Sequence, residues 1–126
     1  MKRLICILFV ALCAYSCSFV KGNGDTLVPR YKLYNTDNVY NLLRLDTATG
    51  AIWMVQYGMN ENVPALVVPI DETSLLTNGE EVHAGRFELY PTNNMYTFIL
   101  LDVENGSSYQ VQWHQDAGNR FRVRID

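Results

Sequence analysis

Two aspartates, Asp46 and Asp102, have the placement that most invites a chemical reading. They lie 56 residues apart in matching surroundings, LDTATG and LDVENG. Two carboxylates that converge can divide acid–base work between them. Each of these, however, heads a loop closed by a glycine (Gly50, Gly106), where an aspartate accepts backbone N–H bonds and glycine supplies a positive φ. The local sequence therefore favours turn construction over catalysis. His83 and His114 are the two histidines, and neither has a second ligand at zinc-motif spacing. Ser74, Ser107 and Ser108 lack the glycine-flanked elbow of an activated serine. Asp25, Asp37 and Asp46 could meet in space as an oxygen-only calcium site, but they do not follow the spacing of a calcium loop. The expectation is no metal, no cofactor and no catalytic residue. A small hydrolase-like enzyme or enzyme inhibitor using Asp46, Asp102 or His114 is the rival reading.

The matching surroundings belong to a duplication. Residues 30–57 align without a gap to residues 86–113, and eleven of the 28 pairs are identical. These include Arg30/Arg86, Tyr34/Tyr90, Thr36/Thr92, Asn38/Asn94, Asp46/Asp102, Gly50/Gly106 and Gln56/Gln112. Tyr31/Phe87, Leu43/Ile99, Trp53/Tyr109 and Tyr57/Trp113 are replacements of like for like. An internal repeat constrains architecture before any single residue does.

Each copy reads as four strands. In the first copy these are residues 30–34, 39–45, 51–57 and 65–70; in the second, 86–90, 95–101, 107–113 and 121–125. Tyr31 and Leu33 share a face, as do Phe87 and Leu89. The second strand of each copy is apolar on both faces, which marks it as central. In the third, Trp53, Val55 and Tyr57 alternate with Met54 and Gln56, the pattern of a half-buried strand. Residues 71–77 are expected to form a helical turn or two, capped by Asp71 and stopped by Gly79. The predicted fold is all-β, about eight antiparallel strands from two tandem four-strand repeats, as a compact barrel or a sandwich with pseudo-twofold symmetry. A closed propeller is disfavoured, because two blades do not make a ring.

The first 16 residues read as a signal peptide: Met1-Lys2-Arg3, a short apolar run, then small residues at Ala14 and Ser16. The run is shorter than the ~20 residues of a membrane span. Cys17 follows Ala14-Tyr15-Ser16 and is the expected site of lipidation; ordinary cleavage nearby, giving a soluble secreted protein, is the alternative. All three cysteines lie at positions 6, 13 and 17, so the domain has no intramolecular disulfide. Residues 17–26 form a tether and 27–126 a single β domain, with repeat one at 30–70, a connector at 71–85 and repeat two at 86–126. Loss of Lys2 and Arg3 leaves 8 basic and 13 acidic residues. That acidic balance argues against nucleic acid as a partner.

The phrases YNLLRLDTATGAIWMVQY and YTFILLDVENGSSYQVQW resemble a repeat of small exported or lipid-anchored proteins of Bacteroidetes. The pattern is matched by Leu45, Asp46, Gly50, Trp53, Val55 and Gln56, then by Leu101, Asp102, Gly106, Val111 and Gln112; Tyr109 stands where the second tryptophan belongs. The resemblance implies a cell-envelope location, in the periplasm or at the outer membrane, and carries no assigned activity.

The expected function is therefore a non-enzymatic binding or scaffolding module whose partner is an envelope protein or a glycan, held at the membrane through a lipid on Cys17. Exposed rings beside amides suit glycan or peptide contacts. The candidate binding residues are Tyr34, Tyr90, Gln56, Gln112, Asn38 and Asn94. Most of the other aromatics are expected in the core. The alternating arginines Arg120, Arg122 and Arg124 are expected to protect a terminal strand from edge pairing.

Overall fold

The computed structural model describes residues 27–58 and 60–126. The expected signal peptide, the lipidation site Cys17 and all of the tether lie outside the described residues.

Within them the protein is all-β. The strands are β1 (Tyr31–Asn35), β2 (Asn41–Asp46), β3 (Ile52–Gln56), β4 (Leu66–Asp71), β5 (Phe87–Pro91), β6 (Thr97–Asp102), β7 (Ser108–Gln112) and β8 (Phe121–Arg124). Each copy folds into its own antiparallel meander, β1-β2-β3-β4 and β5-β6-β7-β8. Neither sheet closes on itself, so of the two expected arrangements the structure has open packed sheets rather than a barrel. Leu43, Leu45, Ile52, Met54 and Ile70 of the first sheet join Phe87, Leu89, Phe98, Leu100, Val111 and Trp113 of the second in one shared core.

Residues shared by the two copies build the turns. Between β1 and β2, the Thr36 hydroxyl donates to the Asn41 carbonyl at 2.7 Å, and Asn38 Oδ1 accepts from the Tyr40 N–H at 2.9 Å. Thr92 donates to Thr97 O at 2.8 Å, and Asn94 Oδ1 accepts from Tyr96 N–H at 2.9 Å. These bonds hold residues 36–40 and 92–96 in turns, so β2 and β6 begin two residues later than the apolar pattern suggested. Gly50 and Gly106 both take φ of +80°, and their N–H groups donate to the Asp46 and Asp102 carbonyls. Only glycine adopts that conformation without strain.

The expected helix over 71–77 does not form. Asp71 ends β4, and its carboxylate accepts from Thr73 N–H at 2.9 Å, an Asx turn. The following backbone is drawn onto the first sheet instead, where Leu75 N–H donates to Thr49 O at 2.8 Å. Leu75 and Leu76 pack against the core from this connector. Packing two half-buried leucines on the core outweighs the weak helical tendency of so short a segment. The described residues contain one helical turn, the 3-10 segment Ala117–Asn119.

The two sheets meet by opposite faces. The first turns Leu43 and Leu45 of β2 and Ile52 and Met54 of β3 inward. Their counterparts in the second copy are Ile99, Leu101, Ser108 and Gln110, none of which is in the buried core. The second sheet turns inward Phe87, Leu89, Phe98, Leu100, Val111 and Trp113. Their counterparts, Tyr31, Leu33, Leu42, Arg44, Val55 and Tyr57, lie on the outside of the first sheet. The front of one copy therefore rests on the back of the next. In β3 the strand is half-buried as its period indicates, but the buried half is Ile52 and Met54 rather than the aromatic side.

Candidate functional site: the open aromatic face of the first sheet

Because β1, β2 and β3 pair Leu33 with Arg44 and Arg44 with Trp53, these side chains form a row across the outer face. Tyr31 and Leu33 sit at one end of the face, Val55 and Val67 towards the other. The Arg44 guanidinium lies over the Trp53 ring at 4.6 Å from its centroid, and Tyr31, Arg44 and Trp53 line a shallow hollow. Arg44 Nε is buried with no hydrogen-bond partner among the described residues. A cation on an aromatic plane, flanked by exposed aliphatics, can bind a flat apolar or π-rich surface carrying an acceptor.

Exposure measures how open this face is. Phe87 is 1% exposed and its twin Tyr31 52%; Leu89 is 2% and Leu33 61%. A similar side chain at the same position of the same strand is sealed in one copy and open in the other.

The residues proposed from sequence for binding are mostly engaged within the fold. Gln56 donates its amide to Pro64 O at 3.2 Å and Gln112 to Asn119 O at 2.9 Å, each bracing the loop that follows its strand. Asn38 and Asn94 cap their turns. Tyr34 lies between the sheets, where its hydroxyl accepts a long bond, 3.5 Å, from Leu89 N–H. Burial raises its pKa, which keeps the phenol neutral. Tyr90, its counterpart, stands exposed on the outside of the second sheet. Of the six, Tyr90 is the one presented on an open sheet face.

Asp46 and Asp102 are turn residues bound by arginine. Arg30 Nε and Nη2 donate to Asp46 at 3.3 and 3.1 Å, and Arg86 Nε and Nη2 to Asp102 at 3.1 and 2.9 Å. Burial pushes both carboxyls up. The arginines and the N–H groups of Ala48 and Glu104 more than reverse that and hold both below the ordinary carboxylate range. The sequence contained this pairing in the joint identity of Arg30/Arg86 and Asp46/Asp102. Arg86 also meets Glu80 at 3.2 Å and Glu104 at 3.5 Å. His83 pairs with Glu104, and His114 Nδ1 accepts from Asp116 N–H at 3.0 Å. Among the described residues, no group of three or more His, Cys, Asp or Glu is placed to hold a metal ion.

Arg122 differs from its expected role. It points between the sheets, donating to Gly50 O at 2.7 Å and Thr73 O at 2.9 Å beside Asp71 at 3.4 Å. It fastens β8 to the first copy instead of guarding an edge. Arg120 caps His114 O and Gln115 O, and Arg124 binds Asp126 and Ser107.

No protein-family model matches the chain, and no solved structure matches it. A stretch of 87 residues, 68% of this chain, is 31% identical to tubulin glycylase 3B of Drosophila melanogaster. The chain spans 11% of the length of that protein.

Proposed function

We propose that the chain is a non-enzymatic binding and scaffolding module of the cell envelope, exported, anchored through lipid on Cys17, and akin to the duplicated β-repeat proteins of Bacteroidetes. The observation that carries the binding half of this reading is the open outer face of the first sheet, with Tyr31, Leu33, Trp53, Val55 and Val67 around the half-stacked Arg44. An exposed apolar and aromatic surface of this kind marks an interaction site. The export half rests on the sequence of residues 1–17. The engagement of Asp46 and Asp102 by arginine counts against the hydrolase or inhibitor reading, since a general acid or base needs a free face.

Two measurements test the proposal. Intact mass of the protein from its native membrane fraction is expected to fit residues 17–126 plus acyl chains; an unmodified mass in the soluble fraction removes the anchor. Leu33→Glu is expected to abolish retention of envelope protein or glycan on the immobilised chain. Retention equal to wild type, with the fold intact by circular dichroism, would remove this face as the binding surface.

A further inference from the structure

We propose that the outer face of the first sheet takes the outer face of the second sheet of another copy of this chain, so that the protein assembles front to back. This rests on the reading of that face as a binding surface and names its partner. The internal joint is the template. It places the front of copy one on the back of copy two, and the same two kinds of face remain open at the ends of the pair. The back of copy one offers Tyr31, Leu33, Leu42, Trp53 and Val55 where the joint uses Phe87, Leu89, Phe98, Tyr109 and Val111. The front of copy two offers Tyr90, Ile99, Leu101 and Val123 where the joint uses Tyr34, Leu43, Leu45 and, by strand pairing, Val68.

The departures from the template compensate one another. Arg44 replaces Leu100, and Gln110 replaces Met54, so the first face carries a buried donor, Arg44 Nε, without a partner among the described residues, and the second carries an amide able to accept from it. Lys32 pairs with Glu88 at 3.8 Å across the internal joint. At the new joint each occupies the other's place, and the attraction is kept with its polarity reversed. The internal joint also carries a main-chain bond, Phe87 N–H to Thr47 O at 2.9 Å. Tyr31 and Val103 are the matching positions at the open ends, and Val103 is exposed.

The glycines tell the same story. A Cβ on Gly50 would lie 2.7 Å from Leu75 Cδ1, whereas one on Gly106 would meet nothing within 4 Å. The first copy's turn is covered by Leu75 of the connector and, at 3.4 Å, by Phe87 of the second sheet, and the second copy's is open. A heterologous contact of this kind does not saturate at two subunits; it continues to a ring or a filament.

Sedimentation of the full chain as its cell matures it, in density-matched detergent, tests this. Wild type is expected to form species larger than a dimer as concentration rises. Leu33→Glu (back face) and Val123→Glu (front face) are each expected to sediment as monomers. An equal mixture of the two is expected to form a species of two chains and nothing larger, because each supplies the face that the other lacks. Val67→Glu replaces Leu33→Glu if the latter fails to fold. Wild type that stays monomeric, a mixture that stays monomeric, or sensitivity to one face alone would overturn the proposal. A monomeric wild type whose envelope retention is still lost in Leu33→Glu overturns self-assembly and leaves the binding reading standing. If Leu33→Glu alters neither assembly nor retention, both fall.

Discussion

The two sheets are near copies in sequence and opposites in use. Hydrogen-bonded turn residues are kept in pairs: threonine hydroxyls, asparagine caps, arginine–aspartate forks and positive-φ glycines do the same work in both. The faces are not used alike. What is core in the second copy is surface in the first, so a repeat can preserve a strand scaffold while its packing partner changes sides. Position in the stack, rather than side-chain type, decides whether an aromatic is buried.

That contrast can be broken by matched substitutions. Phe87→Ala is expected to destabilise by about 3–5 kcal/mol, the range for truncating a buried aromatic. Tyr31→Ala, on the open face, is expected to stay within about 0.5 kcal/mol. Urea unfolding of the pair measures the gap, and equal losses would contradict the assignment of faces. Next, Asp102→Ala removes the two-pronged partner of Arg86, which is 6% exposed and keeps only Glu80 and Glu104, and is expected to cost about 1–3 kcal/mol. Asp46→Ala leaves Arg30 able to turn into solvent and should cost clearly less. Thermal melting of both variants distinguishes a joint that matters from two equivalent turns.

A smaller difference should separate Gly50→Ala from Gly106→Ala. Both force a positive φ on alanine, about 1–2 kcal/mol, but the first must also displace Leu75. Gly50→Ala should therefore have the lower urea midpoint. The smallest distinction is in acid. Both paired carboxyls are held below the ~3.9 of a free aspartate. Their contribution is complete above that unfolded value and is lost as pH falls through the lower folded value. Stability is expected to hold from pH 7 to 5 and to fall below about pH 4, with Asp102→Asn flattening that fall more than Asp46→Asn.

Much of the scaffold was legible in the sequence. The duplication, the eight strands and the turn roles of Asp46, Asp102, Gly50 and Gly106 follow from spacing and from the few residues that tolerate such turns. The choice of face was not. β2 and β6 are largely apolar on both sides, so period-2 alternation says which residues travel together and leaves open which set turns inward. Trp53, Val55 and Tyr57 formed the more aromatic side of β3, yet Ile52 and Met54 are buried, because the second sheet docks on that side. Gln56 and Gln112 read as reachable amides; the loop carbonyls they bind are set by backbone geometry that no pattern of residue types records. Arg122 read as edge protection because its acceptors, Gly50 and Thr73, lie far away in the chain.

The most direct test uses the chain's two tryptophans. Trp113 is buried, with Nε1 donating to Met95 O at 2.8 Å, and Trp53 is half-buried on the open face. Acrylamide quenching of Trp53→Phe and Trp113→Phe, each retaining one tryptophan, reads the two faces separately in dilute solution. A shielded Trp113 beside a readily quenched Trp53 is the predicted result. Quenching of Trp113 as efficient as that of Trp53 would contradict the front-to-back packing of the two sheets.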